Sequence, residues 1–245
     1  ASRHAVTKMS HLHFVAAEPY RKRIIQMGEN PNTVFTVGTP GLDNLATLEP
    51  MSISELEARV EHDLGEGFFL ITYHPETITT GDRGKPVASL LAALEAWPER
   101  RLLVTGVNAD PGHDAVANAF TEYGAAHPER VAMCASLGEK AYFSALGLCG
   151  AVVGNSSSGL IEAPAVGAIT VNLGDRQKGR LRTRSVIDSG TSADEIRAAV
   201  DQALSPDFRA RTKGQDIPYG RGGASTQIKD QLKAFDGELI RFKQF

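Results

Sequence analysis

Short apolar runs at residues 68–72, 101–105, 131–134, 151–153 and 169–173 alternate with amphipathic segments at 85–97, 113–127 and 140–148, and this alternation restricts the fold more than any other feature. A strand, a covering helix and a second strand bring the chain back to the same sheet edge, so the repeat predicts an α/β fold with a parallel sheet and helices on both faces. Unbroken apolar runs suit strands buried on both sides. Before the repeat, 8–16 alternates loosely and reads as a strand, Glu18-Pro19 opens a helix to about Met27, and 34–37 is a short strand ending in Gly38-Thr39-Pro40-Gly41. These form one strand–helix–strand unit of a sheet whose beginning is missing, and the pattern changes near 45–50. Ser52 with Glu55 and Ser54 with Glu57 are capping-box pairs for a helix reaching about Leu64. Beyond a helix at 193–204 and a loop at 216–223, a closing helix from Thr226 towards Phe242 is expected to pack back on the first sheet.

The stretch at 150–180, GAVVGNSSSGLIEAPAVGAITVNLGDRQKGR, carries the densest chemistry. Its apolar run breaks at Gly154 into Asn155-Ser156-Ser157-Ser158-Gly159, and a helix with Glu162 in its first turn is expected to follow. A helix N-terminus holds unpaired N–H groups and a partial positive charge, so hydroxyls placed there make a seat for phosphate. The same serines would also serve as an ordinary N-cap. Glu162 would repel a diphosphate, but further into the helix it can accept hydrogen bonds from a ribose diol, and the helix dipole favours it there with or without a ligand. The next strand opens into a loop holding Arg176, Lys178 and Arg180, which suits either an anion or plain solvent exposure. In an open parallel sheet the carboxyl edge is where ligands bind.

Two more loops end at that edge. In Tyr73-His74-Pro75-Glu76-Thr77 the proline stiffens the loop, and the imidazole of His74 titrates near neutrality, so it could move a proton, pair with a phosphate, or simply cap the loop. In the loop at 106–112, Asn108 offers a donor and an acceptor at the equivalent height, although the same residue types form ordinary turns. Spacing alone therefore yields a nucleotide-site hypothesis and no reaction. Net charge is −3 and the isoelectric point is near 6.2, so no general electrostatic footprint for nucleic acid exists and any anion must be gripped locally. Cys134 and Cys149 lack metal-like spacing and are expected to pack as free thiols. His11 and His13 share a strand face but have no third ligand at suitable spacing, so no metal is expected. The longest nearly apolar run, 146–153, is far too short to cross a bilayer, and no signal-peptide pattern opens the chain, so a cytoplasmic protein without a membrane partner is expected.

The strings RHAVTKMSHLHF, YHPET, NADPG, GNSSSGLIEAP and NLGDRQKGR, in this order, closely resemble the hydrolysing UDP-N-acetylglucosamine 2-epimerases that supply N-acetylmannosamine for sialic-acid synthesis. The related non-hydrolysing enzymes usually carry Arg-Arg-Glu-Asn after the His strand and Gly-Gly in place of the middle serines, and neither occurs here. The resemblance implies two Rossmann-like halves facing one another, the GT-B arrangement. Residues 1–45 would be the tail of the N-terminal half, 50–215 the C-terminal UDP-binding half, and 224–245 a helix returning to the N-terminal half. About a hundred residues would then be absent. It further implies that Ser156 and Ser157 hold the diphosphate and Glu162 the ribose. His74 would act as acid or charge stabiliser, with Asn108 and Arg176 completing the site and Arg3 acting from the other half. No redox cofactor and no essential metal is implied, and a homo-oligomer, dimeric or tetrameric, is expected. The same strings fit an enzyme acting on a UDP-2,4-diacetamido sugar of the legionaminic-acid route, a non-hydrolysing 2-epimerase, or a fragment that binds UDP without chemistry.

Overall fold

A computed structural model describes residues 2–75, 85–106 and 113–235, which fall into two compact units, residues 1–48 with 217–245 and residues 49–216. The first unit opens with α1 (Ser2–Met9), then β1 (His13–Val15), α2 (Glu18–Gln26) and β2 (Val34–Thr36), with β1 and β2 parallel and His13 opposite Val34. The strand expected at 8–16 is thus shorter, because the chain stays helical through Met9, after which the main chain and hydroxyl of Ser10 both donate to the Val6 carbonyl. Lys8, on the last turn of α1, lies 2.8 Å from buried Glu29, whose other oxygen is 3.0 Å from the Nε2 of buried His13. The His13 ring is therefore engaged by a buried carboxylate.

The second unit carries a six-stranded parallel sheet. In chain order it contains α3 (Ile53–Val60), β3 (Phe69–Thr72), α4 (Lys85–Leu94), β4 (Leu102–Thr105), α5 (His113–Ala126), β5 (Val131–Cys134) and α6 (Gly138–Leu148). There follow β6 (Ala151–Gly154), α7 (Ser158–Ala165), β7 (Thr170–Leu173), β8 (Val186–Ser189), α8 (Ala193–Leu204) and α9 (Pro206–Thr212). Sheet order is β5-β4-β3-β6-β7-β8, every pair parallel. Helices α4, α5 and α8 cover one face, where Phe69 and Ile71 of β3, Val104 of β4 and Val171 of β7 meet Leu90, Phe120 and Val200. Helices α3, α6 and α7 neighbour one another elsewhere on the unit. Order reverses between β3 and β6, so the loops after these two strands flank the switch point of a doubly wound sheet.

Strand β8 and helix α9 are not visible in the apolar pattern. β8 is a partly exposed edge strand with only Val186 and Ile187 apolar, and it is held by its ladder to β7. Helix α9 starts where the hydroxyl of Ser205 accepts from the N–H of Phe208, whose ring is buried. Of the two capping boxes expected for α3 only Ser52 with Glu55 forms, while Glu57 accepts from the N–H groups of Leu64 and Gly65. The last described helix, α10 (Ala224–Ala234), begins two residues earlier than its composition predicts. Asp43, distant in sequence, caps it by accepting from the N–H groups of Ala224 and Ser225 at 2.8 and 2.7 Å. The rest of the closing helix expected towards Phe242 lies outside the described residues.

Candidate nucleotide site at the switch point

Gly154 ends β6 against the end of β3, and no side chain would fit there: a Cβ on its φ of +150° would stand 2.0 Å from the Thr72 carbonyl oxygen. That close approach lets the next residue, Asn155, reach three segments at once. Its N–H donates to the Thr72 carbonyl at 3.1 Å. Its side-chain Oδ1 accepts from the N–H of His74 and its Nδ2 donates to the His74 carbonyl, both at 2.8 Å. Its own carbonyl accepts from Arg176 Nη1 at 3.2 Å and Gln177 Nε2 at 2.8 Å. Asn155 is fully buried, so each of these bonds replaces one that water would otherwise make. The loops after β3, β6 and β7 are thereby fixed to one residue.

Ser157 occupies the N-cap of α7 without a side-chain capping bond, in contrast to Ser52, Ser192 and Ser205 at the starts of α3, α8 and α9. The Ser157 hydroxyl is therefore not spent on capping α7. Ser156 Oγ accepts from the N–H of Ser158 at 3.4 Å and from its hydroxyl at 3.1 Å. Ser158 Oγ also bonds the phenol of Tyr142 on α6, and Tyr142 in turn meets the side chain of Thr72. Glu162 is the fifth residue of α7 and so lies beyond the first turn, where the dipole contributes little. Burial pushes its carboxyl above the usual carboxylate range, opposed by its own N–H and by the charge of Arg180. Its Oε2 is buried and has no hydrogen-bond partner among the described residues.

The cations of the β7–β8 loop are sorted by the fold. Arg176 is half-buried and turned onto the Asn155 carbonyl, Lys178 is exposed and pairs with Asp175 at 3.0 Å, and Arg180 is exposed. His74, Ser156, Ser157, Glu162 and Arg176 thus belong to the elements that meet at the switch point. Arg3 is an exposed residue of α1 in the other unit, and Asn108, like Glu76 and Thr77, lies outside the described residues. Sequence reasoning assigned no role to Asn155, Gln177, Tyr142 or Thr72. Two of these stand inside the motifs already singled out, and their polar type at a strand end was the available signal. Among the described residues no cluster of His, Cys, Asp and Glu could hold a metal ion, Cys134 and Cys149 are free, and no helix is long and apolar enough to cross a membrane.

The reversal of strand order between β3 and β6 defines a doubly wound α/β protein with a serine loop at its switch point. Residues 1–233 match the family described as UDP-N-acetylglucosamine 2-epimerase, and the chain belongs to that family. It is 34% identical over 244 residues to the GDP/UDP-N,N'-diacetylbacillosamine 2-epimerase (hydrolyzing) of Campylobacter jejuni, covering 99% of this chain and 63% of the relative. It is 33% identical to the polysialic acid biosynthesis protein P7 of Escherichia coli, covering 95% and 60%. The chain therefore spans less than two thirds of the length of these relatives. The UDP-GlcNAc 2-epimerase of Neisseria meningitidis, solved bound to UDP-GlcNAc, superposes with a TM-score of 0.76 at 17% identity over 94% of this chain and 63% of its own. An S. aureus MnaA-UDP co-structure gives 0.74 at 15% identity, covering 98% and 64%. At these identities the two structures establish the fold.

Proposed function

We propose that the chain is the UDP-binding part of a hydrolysing UDP-N-acetylglucosamine 2-epimerase. The observation that carries this reading is the buried Oε2 of Glu162, an acceptor without a partner among the described residues, at the switch point of a chain from the 2-epimerase family. A ribose diol supplies the hydroxyl donors that such an oxygen lacks. Ser156 and Ser157, with the N-terminus of α7 and Arg176, would hold the diphosphate, and Asn108 would complete the sugar-nucleotide contacts. His74 would protonate or stabilise the leaving diphosphate, and Arg3 is a further catalytic candidate on the family resemblance. Residues 50–215 would form the UDP-binding domain, residues 1–45 with 224–245 would belong to the companion domain, and the protein would work in the cytoplasm as a homo-oligomer.

The chemistry runs in two balanced steps. A base removes the C2 proton while the C1–O bond breaks, giving 2-acetamidoglucal and UDP. Water then adds its hydroxyl to C1 and a proton to the opposite face of C2, which releases N-acetylmannosamine. The charge that develops on the diphosphate is where fixed donors lower the barrier.

A second reading, the same chemistry on a UDP-2,4-diacetamido sugar, is favoured by the name of the Campylobacter relative. Phosphorus and proton NMR of each UDP sugar, incubated with this chain and in parallel with the full-length gene product, tests both. Free UDP with a free manno sugar is expected from the preferred substrate. An intact diphosphate on a manno sugar would mean a non-hydrolysing enzyme, and turnover by the full-length protein alone would mark this chain as a binding part.

A further inference from the structure

We propose that Arg100 and Arg209 form a second anion site, for a phosphate group, at the amino edge of the six-stranded sheet. It does not depend on the nucleotide reading above, because the candidate nucleotide site lies beyond the carboxyl ends of the same strands. A cavity of about 660 Å³ opens where the chain enters β3 and β6. Gly67 and Gly150, just before those strands, pack main chain against main chain. A Cβ on Gly150 would overlap the Gly67 carbonyl oxygen, and one on Gly67 would overlap Arg100 Nη1. The lack of both side chains is what lets a guanidinium lie against the backbone. Arg100 Nη1 donates to the Gly67 carbonyl at 2.6 Å, and Arg209, from α9, donates through Nη2 to the Gly150 carbonyl. Arg100 Nη1 also lies 3.2 Å from where a Gly150 Cβ would stand, so the two cations converge on one residue.

The wall of the cavity does little to neutralise them. A guanidinium has five N–H donors, and each of these two spends one in a hydrogen bond among the described residues. Arg209 pairs with no carboxylate among the described residues. The carboxylate that Arg100 meets, Glu99, is exposed and stands 3.9 Å from Nε, where a solvated pair contributes little. Glu66 lines the same cavity, but it is exposed and pairs with neither arginine. Cys149 supplies no counter-charge, because burial pushes its thiol up to about 12 against the charge of Arg209. Two half-buried like charges raise each other's energy, and a dianion between them removes that cost. The guanidiniums come from different elements, so a tetrahedral phosphate can meet both with separate oxygens, where a carboxylate has only two to share. The volume is that of a small-molecule site, so the phosphate can be free or the end of a phosphomonoester.

The test is proton–nitrogen correlation NMR of this chain during titration with inorganic phosphate at constant ionic strength, following the amides of Gly67 and Gly150 and the Nε–H groups of Arg100 and Arg209. A saturable shift of these signals is expected, and chloride at the same ionic strength should give none. Arg100→Gln and Arg209→Gln, each checked by thermal melting, should weaken phosphate about tenfold or more, as for a lost charge-assisted hydrogen bond, with the lysine variants intermediate. Should a glutamine variant fail to fold, the lysine variant carries the comparison. Glycerol phosphate separates the two carriers: binding at least as tight as that of phosphate assigns a phosphomonoester, and weaker binding assigns the free ion. No saturable shift up to tens of millimolar phosphate, or an unchanged affinity in both glutamine variants, would overturn the proposal. So would shifts confined to residues 155–159, which would place the phosphate at the serine loop.

Discussion

The Asn155 carboxamide closes a two-bond ring with the main chain of His74, accepting from its N–H and donating to its carbonyl at 2.8 Å each. A parallel sheet pairs strands only as far as their ends, so the loops beyond β3 and β6 need a separate tie. Here a side chain extends the ladder by one rung. Asn155→Ala removes both bonds to the half-buried main chain of His74 and should cost about 1–3 kcal/mol. Asn155→Asp keeps the acceptor but sets a carboxylate against the His74 carbonyl, so it should not restore stability. Urea unfolding of the three proteins measures both effects.

Gly154 is the residue that allows Asn155 its position. Gly154→Ala places a methyl group 2.0 Å from the Thr72 oxygen, on a φ of +150° that other residues rarely adopt. The expected loss is at least about 2 kcal/mol of stability. Gly214→Ala, where no atom lies within 4 Å of the added carbon, separates the steric effect from the backbone effect, because its φ of +66° is also positive. The difference in midpoint between the two variants reports the clash at the switch point.

Glu162 should make stability depend on pH. Its carboxyl is held above its ordinary value by burial, so the folded state binds the proton more tightly than the unfolded state. The favourable contribution is fully present below the ordinary value of about 4.5 and is lost as pH rises through the raised value. Glu162→Gln removes the ionisation. It should match the unsubstituted chain at pH 4, exceed it at pH 8, and show a flatter melting temperature between them. A parallel pH dependence in both proteins would show that Glu162 stays ionised in the fold.

Arg176, half-buried and turned onto the Asn155 carbonyl, is the cation of its loop expected to meet phosphate. Arg176→Ala should weaken UDP about tenfold and make binding less sensitive to salt, with Arg176→Lys intermediate. Lys178→Ala, at an exposed residue already paired with Asp175, should change UDP affinity less than twofold. Titrations at two salt concentrations separate these outcomes.

The parts of this architecture that were legible in the sequence are those written in local pattern. The runs at β3, β4, β6 and β7 are short, mostly apolar and largely buried, and β5 is buried over its first half, so alternation alone marks a parallel sheet. β8 escaped because an edge strand buries little, and the start of α10 was misplaced because its cap comes from Asp43 across 181 residues of sequence. In the site, the serine loop, His74 and Glu162 stand out by residue type at strand ends. The roles of Asn155 and Tyr142 depend on hydrogen bonds to residues 81 and 16 positions away, and no spacing rule announces such partners. Glu162 was expected to gain from the helix dipole, whereas its place beyond the first turn leaves burial as the dominant effect.

The central claim is a UDP site at the switch point of the six-stranded sheet, and titration of UDP into this chain and its Glu162→Ala variant tests it most directly. One UDP per chain is expected, with the affinity falling about tenfold to a hundredfold in Glu162→Ala, as for a lost hydrogen bond between a carboxylate and a ribose hydroxyl. No binding at millimolar UDP, or an affinity within twofold in the folded variant, would contradict it.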